Sequence, residues 1–375
     1  WAIVPFEALE PRWKVLAVDG QSPIRKDFEP QEYPLSLPLT VTGEGLLPGL
    51  VQQDYGAGSE TPLAAGSNRQ DDRLTTVALT GVTALVRATA FTMEQRGVNY
   101  PAQDIGGLLK QADILHISNE VPFAKDCPFP DPVQPDLKFC SAAKYIELLE
   151  TIGTDVVELT GDHFADWGRE AMDYTLKLYA DRDWPVYGGG ETLQEGKKPI
   201  TLEHNGNKLA FIGCNAKGGG FAQASSSNPG AVPCDYDFMH QQIRKLTEDG
   251  YNVIVTFQHF EYYTYAAQPN QIADARGMAE AGAAIVSGSQ AHQPQGMEFD
   301  ENAFIHHGLG NLFFDQYEIS QATRQGFIDR HVFYGGRYIS TELIPIMFVD
   351  FARPRLMNAD ETADVLNSVF SASGW

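Results

Sequence analysis

The chain has 375 residues, 43% of them hydrophobic and 20% charged, enough for one large domain or two small ones and too apolar for global disorder. Its formal net charge of −22 repels polyanions and excludes a nucleic-acid partner; such a surface attracts cations or cationic parts of a cell envelope, or merely aids solubility. No stretch reaches the roughly 20 apolar residues of a membrane-spanning helix.

Residues 1–50 read as an N-terminal appendage, with short apolar runs followed by a Pro-rich acidic stretch. Trp1 rather than Met opens the chain, so an upstream segment is expected to be missing; a signal peptide or a lipid anchor is compatible with that, and the sequence itself shows neither. Residues 51–72, polar and rich in Gly and Ser, predict a linker or exposed loop. Residues 73–375 predict one domain. Short apolar runs follow in order: TTVALTG, ADILHIS, TDVVELT, KLAFIGC, YNVIVTF, AAIVSG and AFIHHGLG. Each has the β-branched content of a strand buried on both faces. Between them lie amphipathic helices. One places Met172, Leu176 and Tyr179 on a single face, a second does so with Met239, Ile243 and Leu246, and a third ends at Gly282. This alternation predicts an α/β architecture. RYISTELIPIMFVDFARP predicts two late antiparallel strands.

The four cysteines have no CxxC spacing, which argues against a zinc knuckle. Cys127 and Cys140 form one sequence-local pair in a Pro-rich loop, and Cys214 and Cys234 a second in a Gly-rich loop. Loops with so little core favour two disulfides. Four buried reduced thiols are the alternative. Gly188–Gly190 and Gly218–Gly220 read as flexible turns rather than phosphate cradles, because neither follows a strand and opens a helix.

Polar residues gather at five strand ends: Asn119 and Glu120; Asp162, His163 and Asp166; Gln258, His259 and Glu261; His292; Asn311 and Asp315. In α/β proteins such ends are where sites form. Carboxylate, imidazole and amide without thiolate suit Mn²⁺, Zn²⁺ or Fe. Glu120, Asp162, His163, His259 and His292 are expected to converge in one cleft, each following a strand of the same sheet.

DVVELTGDHFADWG, KKPITLEHNGNKLAFIGCN, the run from YNVIVTFQH to GSQAHQPQGMEF, and IHHGLGNLFFDQ occur in the order of motifs found in bacterial capsule and poly-γ-glutamate synthesis proteins of the CapA type. The chain resembles that family from about residue 75 to its end. The resemblance implies a layered α/β/β/α metallophosphatase-like sandwich in an extracytoplasmic, secreted or surface-anchored protein. It carries Glu120, Asp162, His163 and His292 over as metal ligands. His163, His259 and His292 become catalytic candidates, supported by Asn119, Asp166, Gln258, Glu261, Asn311 and Asp315. Three positions depart from the family: Val82 stands where it has a ligand Asp, Ser289 where it has a His, and Gln258 where it has another His. The reduced set leaves one divalent ion or none. Two functions follow: a metal-assisted hydrolase of envelope polymer, or a catalytically degenerate surface protein that binds polymer or assembles with its own copies.

Overall fold

The computed structural model describes residues 2–36, 67–300 and 302–375. Two sheets stack face to face. The larger contains β1 (Leu74–Thr80), β2 (Val82–Thr83), β3 (Ile114–Asn119), β4 (Val156–Glu158) and β5 (Val186–Tyr187). The smaller contains β6 (Ile200–His204), β7 (Asn207–Asn215), β8 (Asn252–Gln258), β9 (Ile285–Ser287), β10 (Met297–Asp300) and β11 (Ala303–His306), in the order β10-β11-β9-β8-β7-β6. The chain then returns to the larger sheet with β12 (Asn311–Phe313), β13 (Gln325–Tyr334), β14 (Arg337–Val349) and β15 (Arg353–Leu356). That sheet is ordered β12-β2-β3-β1-β13-β14-β15, with β4 pairing with β3 and β5 with β4. The seven apolar runs named above all form strands, and the two late strands are antiparallel, as expected.

Side-chain alternation along the strands explains the stacking. Val77 and Leu79 of β1, Leu209 and Phe211 of β7, and Ile254 of β8 point into the layer between the sheets. Their neighbours Ala78, Ala210, Ile212, Val253 and Val255 point outward. The outer face of the larger sheet is covered by α1 (Arg87–Arg96), α2 (Ile146–Ile152) and α3 (Gly168–Ala180), through Met93, Leu149, Met172, Leu176 and Tyr179. The smaller sheet is covered by α4 (Tyr236–Glu248) and α5 (Pro269–Glu280), through Met239, Ile243, Leu246 and Met278. The Asp235 side chain accepts from the Phe238 N–H and starts α4. The C-terminal α6 (Ala359–Ser373), opened by an Asn358–Glu361 capping box, adds Val365 and Val369 to the inter-sheet layer. The layers are therefore α/β/β/α. Phe211 has no exposed surface, so Phe211→Ala is expected to cost about 3–5 kcal/mol.

Within the N-terminal segment, Phe6, Leu9 and Ile24 pack on Leu74, Val332, Tyr334 and Ile339 of the larger sheet. The expected linker at 51–72 lies outside the described residues as far as residue 66. Beyond it, Arg69 is buried and donates to the carbonyls of Pro23 and Arg25. Both disulfides form as expected, Cys127–Cys140 and Cys214–Cys234. Among the described residues no helix is long and apolar enough to cross a membrane.

One expectation is corrected here. Gly188–Gly190 is not a flexible turn: Gly189–Gly190 pairs with Gly230–Ala231 and is buried. Gly188 has φ +72°, and a Cβ there would lie 2.5 Å from Thr160 Cγ2, so only glycine fits. Gly218–Gly220 is an open turn, where an added Cβ would meet nothing within 4 Å.

Candidate metal centre

The ends of β3 and β4 bring Glu120, Asp162 and His163 together. Each offers a ligand atom, and these atoms lie within 4.8 Å of one another. Glu120 is fixed by its N–H, which donates to the Thr83 carbonyl at 2.9 Å. Asp162 and His163 reach it through Gly161, where a Cβ would sit 2.6 Å from the Glu120 Cα. The two loops can approach this closely only because residue 161 has no side chain.

His163, His292 and Asp162 are oriented by partners outside the cluster. His163 Nδ1 is hydrogen-bonded to Asp166 Oδ2 at 2.7 Å, and that oxygen also accepts from the Phe139 N–H at 2.8 Å. Nε2 is then the nitrogen available to a ligand, the arrangement common around protein-bound metals. His292 follows β9 on the other sheet. Its Nδ1 is 2.9 Å from Asn311 Oδ1, while Asn311 Nδ2 donates to the carbonyls of His292 and Thr323. That network makes Asn311 Oδ1 an acceptor and Nδ1 a donor, so the neutral ring carries its lone pair on Nε2. Nε2 lies 3.6 Å from Glu120 Oε1, beyond hydrogen-bond range. Glu120 is 1% exposed, and its Oε1 has no hydrogen-bond partner. An unsatisfied buried carboxylate oxygen is costly unless a cation meets it.

Asp162 has both oxygens engaged. Oδ1 accepts from Gln258 Nε2 at 2.6 Å and Oδ2 from Lys217 Nζ at 2.5 Å. Gln258 is held in turn by Asn215, which also donates to the Thr160 carbonyl. Lys217 bonds Glu261 Oε1 at 2.7 Å and has only 5% of its side chain exposed. Burial raises the Glu120 pKa, with His292 and His163 working against it. Burial also opposes charge on Asp162, but His163 and Lys217 outweigh it and hold the carboxyl below its usual range. At His163, burial disfavours the charged ring, yet Asp166, Glu120 and Asp162 together raise its pKa to about 9. Lys217 is likewise raised by Asp162 and Glu261 against the effect of burial.

Glu120, Asp162, His163 and His292 meet, and Asp166, Gln258, Glu261 and Asn311 support them. Two expectations fail. The cleft is not at the edge of one sheet: β3, β4 and β12 of the larger sheet and β7, β8 and β9 of the smaller one all contribute. His259 is not in it. β8 ends with Gln258 directed at Asp162, so the next residue faces the opposite side, where His259 Nε2 pairs with Asp274 of α5 at 2.9 Å. Asn119 turns to the Val121 carbonyl, and Asp315 lies 3.6 Å from Arg87. Asn215 and Lys217 are the members that sequence reasoning missed. Their place at the end of β7 is the signal that could have found them, since the other contributing strands also deliver site residues at their ends.

Residues 76–316 match the family described as bacterial capsule synthesis protein PGA_cap. The chain belongs to this family. Capsule biosynthesis protein CapA of Bacillus anthracis is 24% identical to this PGA_cap chain over 259 residues, 68% of this chain and 63% of that protein. PGA biosynthesis protein CapA of Bacillus subtilis is 26% identical over 227 residues, 60% of this chain and 59% of its own. The match therefore spans less than two thirds of either relative. Among solved structures, the 5′-nucleotidase precursor of Thermus thermophilus and the NAD nucleotidase of Haemophilus influenzae each align with a TM-score of 0.45 and 12% identity. They cover 80% of this chain and 58% and 62% of their own.

The departures at Val82 and Ser289 have local explanations in this PGA_cap chain. Val82 is fully buried in an apolar group with Ala84, Val86, Val121, Phe139 and Phe314. Ser289 is turned from the cluster and donates to Glu158 Oε2 at 2.5 Å. Neither is a ligand. Glu120, Asp162 and His163 form a group whose chemistry fits one divalent ion, and His292 Nε2 stands 3.6 Å from the unsatisfied oxygen of Glu120.

Proposed function

We propose that this PGA_cap chain acts outside the cytoplasm on a capsule or envelope polymer, as a hydrolase assisted by one divalent ion held by Glu120, Asp162, His163 and His292. The unpartnered Glu120 Oε1 facing His292 Nε2 carries this reading, because the pair leaves space for a cation and supplies no other partner for it. The family membership, the likeness to the two Bacillus biosynthesis proteins and the two disulfides support the polymer and the location. A bound Mn²⁺, Zn²⁺ or Fe supplies Lewis acidity toward the scissile phosphoester, ester or amide group and toward water. Asp166 keeps the His163 ring oriented, and Asn311 does the same for His292. Lys217 keeps Asp162 ionised. A net charge of −22 repels an anionic polymer over most of the surface, so binding of such a chain is expected to strengthen as salt screens that charge.

The buried apolar Val82 and the diverted Ser289 favour a second reading, a polymer-binding protein that does not turn over. The two are separated by incubating metal-replete protein with poly-γ-glutamate or capsule polymer and following chain length. Shortening that stops in Glu120→Gln and His163→Ala supports hydrolysis. Binding with no shortening supports the second reading.

A further inference from the structure

We propose that Lys217 is a built-in second cation of the centre: its ammonium, clamped between Asp162 and Glu261, takes up the charge that a second divalent ion would otherwise neutralise and so limits the site to one ion. The inference rests on the one-ion reading above and concerns how that limit arises.

Lys217 sits two residues beyond β7, and its position is determined locally. Its N–H donates to Asn215 Oδ1 at 2.9 Å, and the Asn215 side-chain amide is fixed by Gln258 and Thr160. The ammonium lies over the rings of Phe221 and Phe260, with Nζ 4.7 and 5.5 Å from their centroids. The side chains of Lys217 and Asp162 are each 5% exposed, so the pair is screened little by solvent. A lysine this buried is held only by full pairing, and here it has two carboxylates. Those carboxylates are the ones a second ion would need: Asp162 is in the ligand group and Glu261 adjoins it through the ammonium. The carboxylates that face the ion or the ammonium, Glu120, Asp162 and Glu261, carry three negative charges, with Asp166 set behind the His163 ring. One ammonium and one divalent ion balance them; two divalent ions beside the ammonium leave an excess of positive charge at close range. Nearby substitutions agree, since neither Val82 nor Ser289 supplies a ligand for a second ion.

The test is the number of Mn²⁺ ions bound, counted by native mass spectrometry and elemental analysis on wild type, Lys217→Met, Lys217→Gln and Lys217→Arg. Met keeps an unbranched apolar side chain beside Phe221 and Phe260 and Gln a polar one, so one neutral variant suffices if the other does not fold. Folding is checked by circular dichroism and thermal melting. A neutral variant is expected to take one more ion than wild type, or to bind its ion at least tenfold more tightly, while Lys217→Arg stays like wild type. Equal counts and affinities in wild type and a folded neutral variant overturn the proposal. If the equal count is one, the one-ion centre survives without the role given to Lys217; if it is zero, the metal reading falls too. Two ions in the wild type also overturn it.

Discussion

Glu120 Oε1 and His292 Nε2, contributed by different sheets, face each other at 3.6 Å with no proton donor between them. In the absence of a cation Glu120 Oε1 is a buried acceptor that no donor satisfies. Glu120→Gln places an N–H₂ donor there and removes the charge. The variant is expected to lose at least about 100-fold in Mn²⁺ affinity and, without metal, to be about 1–3 kcal/mol more stable than wild type. Calorimetric titration and urea unfolding in EDTA check the two halves. A metal-free variant less stable than wild type contradicts the assignment of Oε1 as unsatisfied.

Val82→Asp restores the carboxylate that the family resemblance places here, but among Val86, Val121, Phe139 and Phe314. Without metal the buried charge is expected to cost roughly 3 kcal/mol or more. With Mn²⁺ most of the loss is recovered, and ion affinity exceeds that of wild type. Melting curves in EDTA and in Mn²⁺ should differ far more for the variant than for the parent. Identical shifts in both proteins mean that residue 82 does not face the ion.

Each disulfide adjoins a residue that orients the centre. Cys140 follows Phe139, whose N–H holds Asp166 and whose ring lies 5.0 Å from His163. Cys214 precedes Asn215, the anchor of Gln258 and Lys217. Reduction is therefore expected to lower metal affinity as well as stability, by about 3 kcal/mol of the latter per bridge. Paired Cys→Ser variants separate the two bridges. Unchanged affinity in both pairs shows that the loops keep their form without them.

His331 offers a test of the inter-sheet layer. It has no exposed surface, its Nδ1 meets Thr341 Oγ1 at 2.7 Å, and its Nε2 has no partner. Burial holds its pKa at about 4, below the ordinary 6.5, with Asp329 opposing and His306 and His116 reinforcing the shift. A depressed pKa means that the folded state prefers the neutral ring. The contribution is complete above pH 6.5 and is lost as pH falls from there through about 4, amounting to roughly 3 kcal/mol. Urea midpoints across that range should fall less steeply in His331→Phe than in wild type. Parallel curves rule the group out as a source of acid lability.

Much of this was legible in the sequence because β-branched runs and 3.6-residue stripes report burial directly, as with Leu209 and Phe211 or Met239, Ile243 and Leu246. Glu120, Asp162, His163 and His292 could be named because each follows such a run. That the runs divide between two sheets came from the family resemblance and not from the patterns, since a strand buried on both faces has the same pattern in one sheet or two. The direction of His259 depended on β8 staying regular through Gln258. Lys217, beside Gly218–Gly220, has the sequence surroundings of an exposed loop cation; its burial comes from Phe221, Phe260 and two carboxylates brought from distant positions.

The centre itself is tested most directly by the metal content of the purified protein. After equilibration with Mn²⁺ and removal of free ion, elemental analysis should find one equivalent per chain in wild type and none in Glu120→Ala/His163→Ala. Two equivalents in wild type, or none, contradict the account.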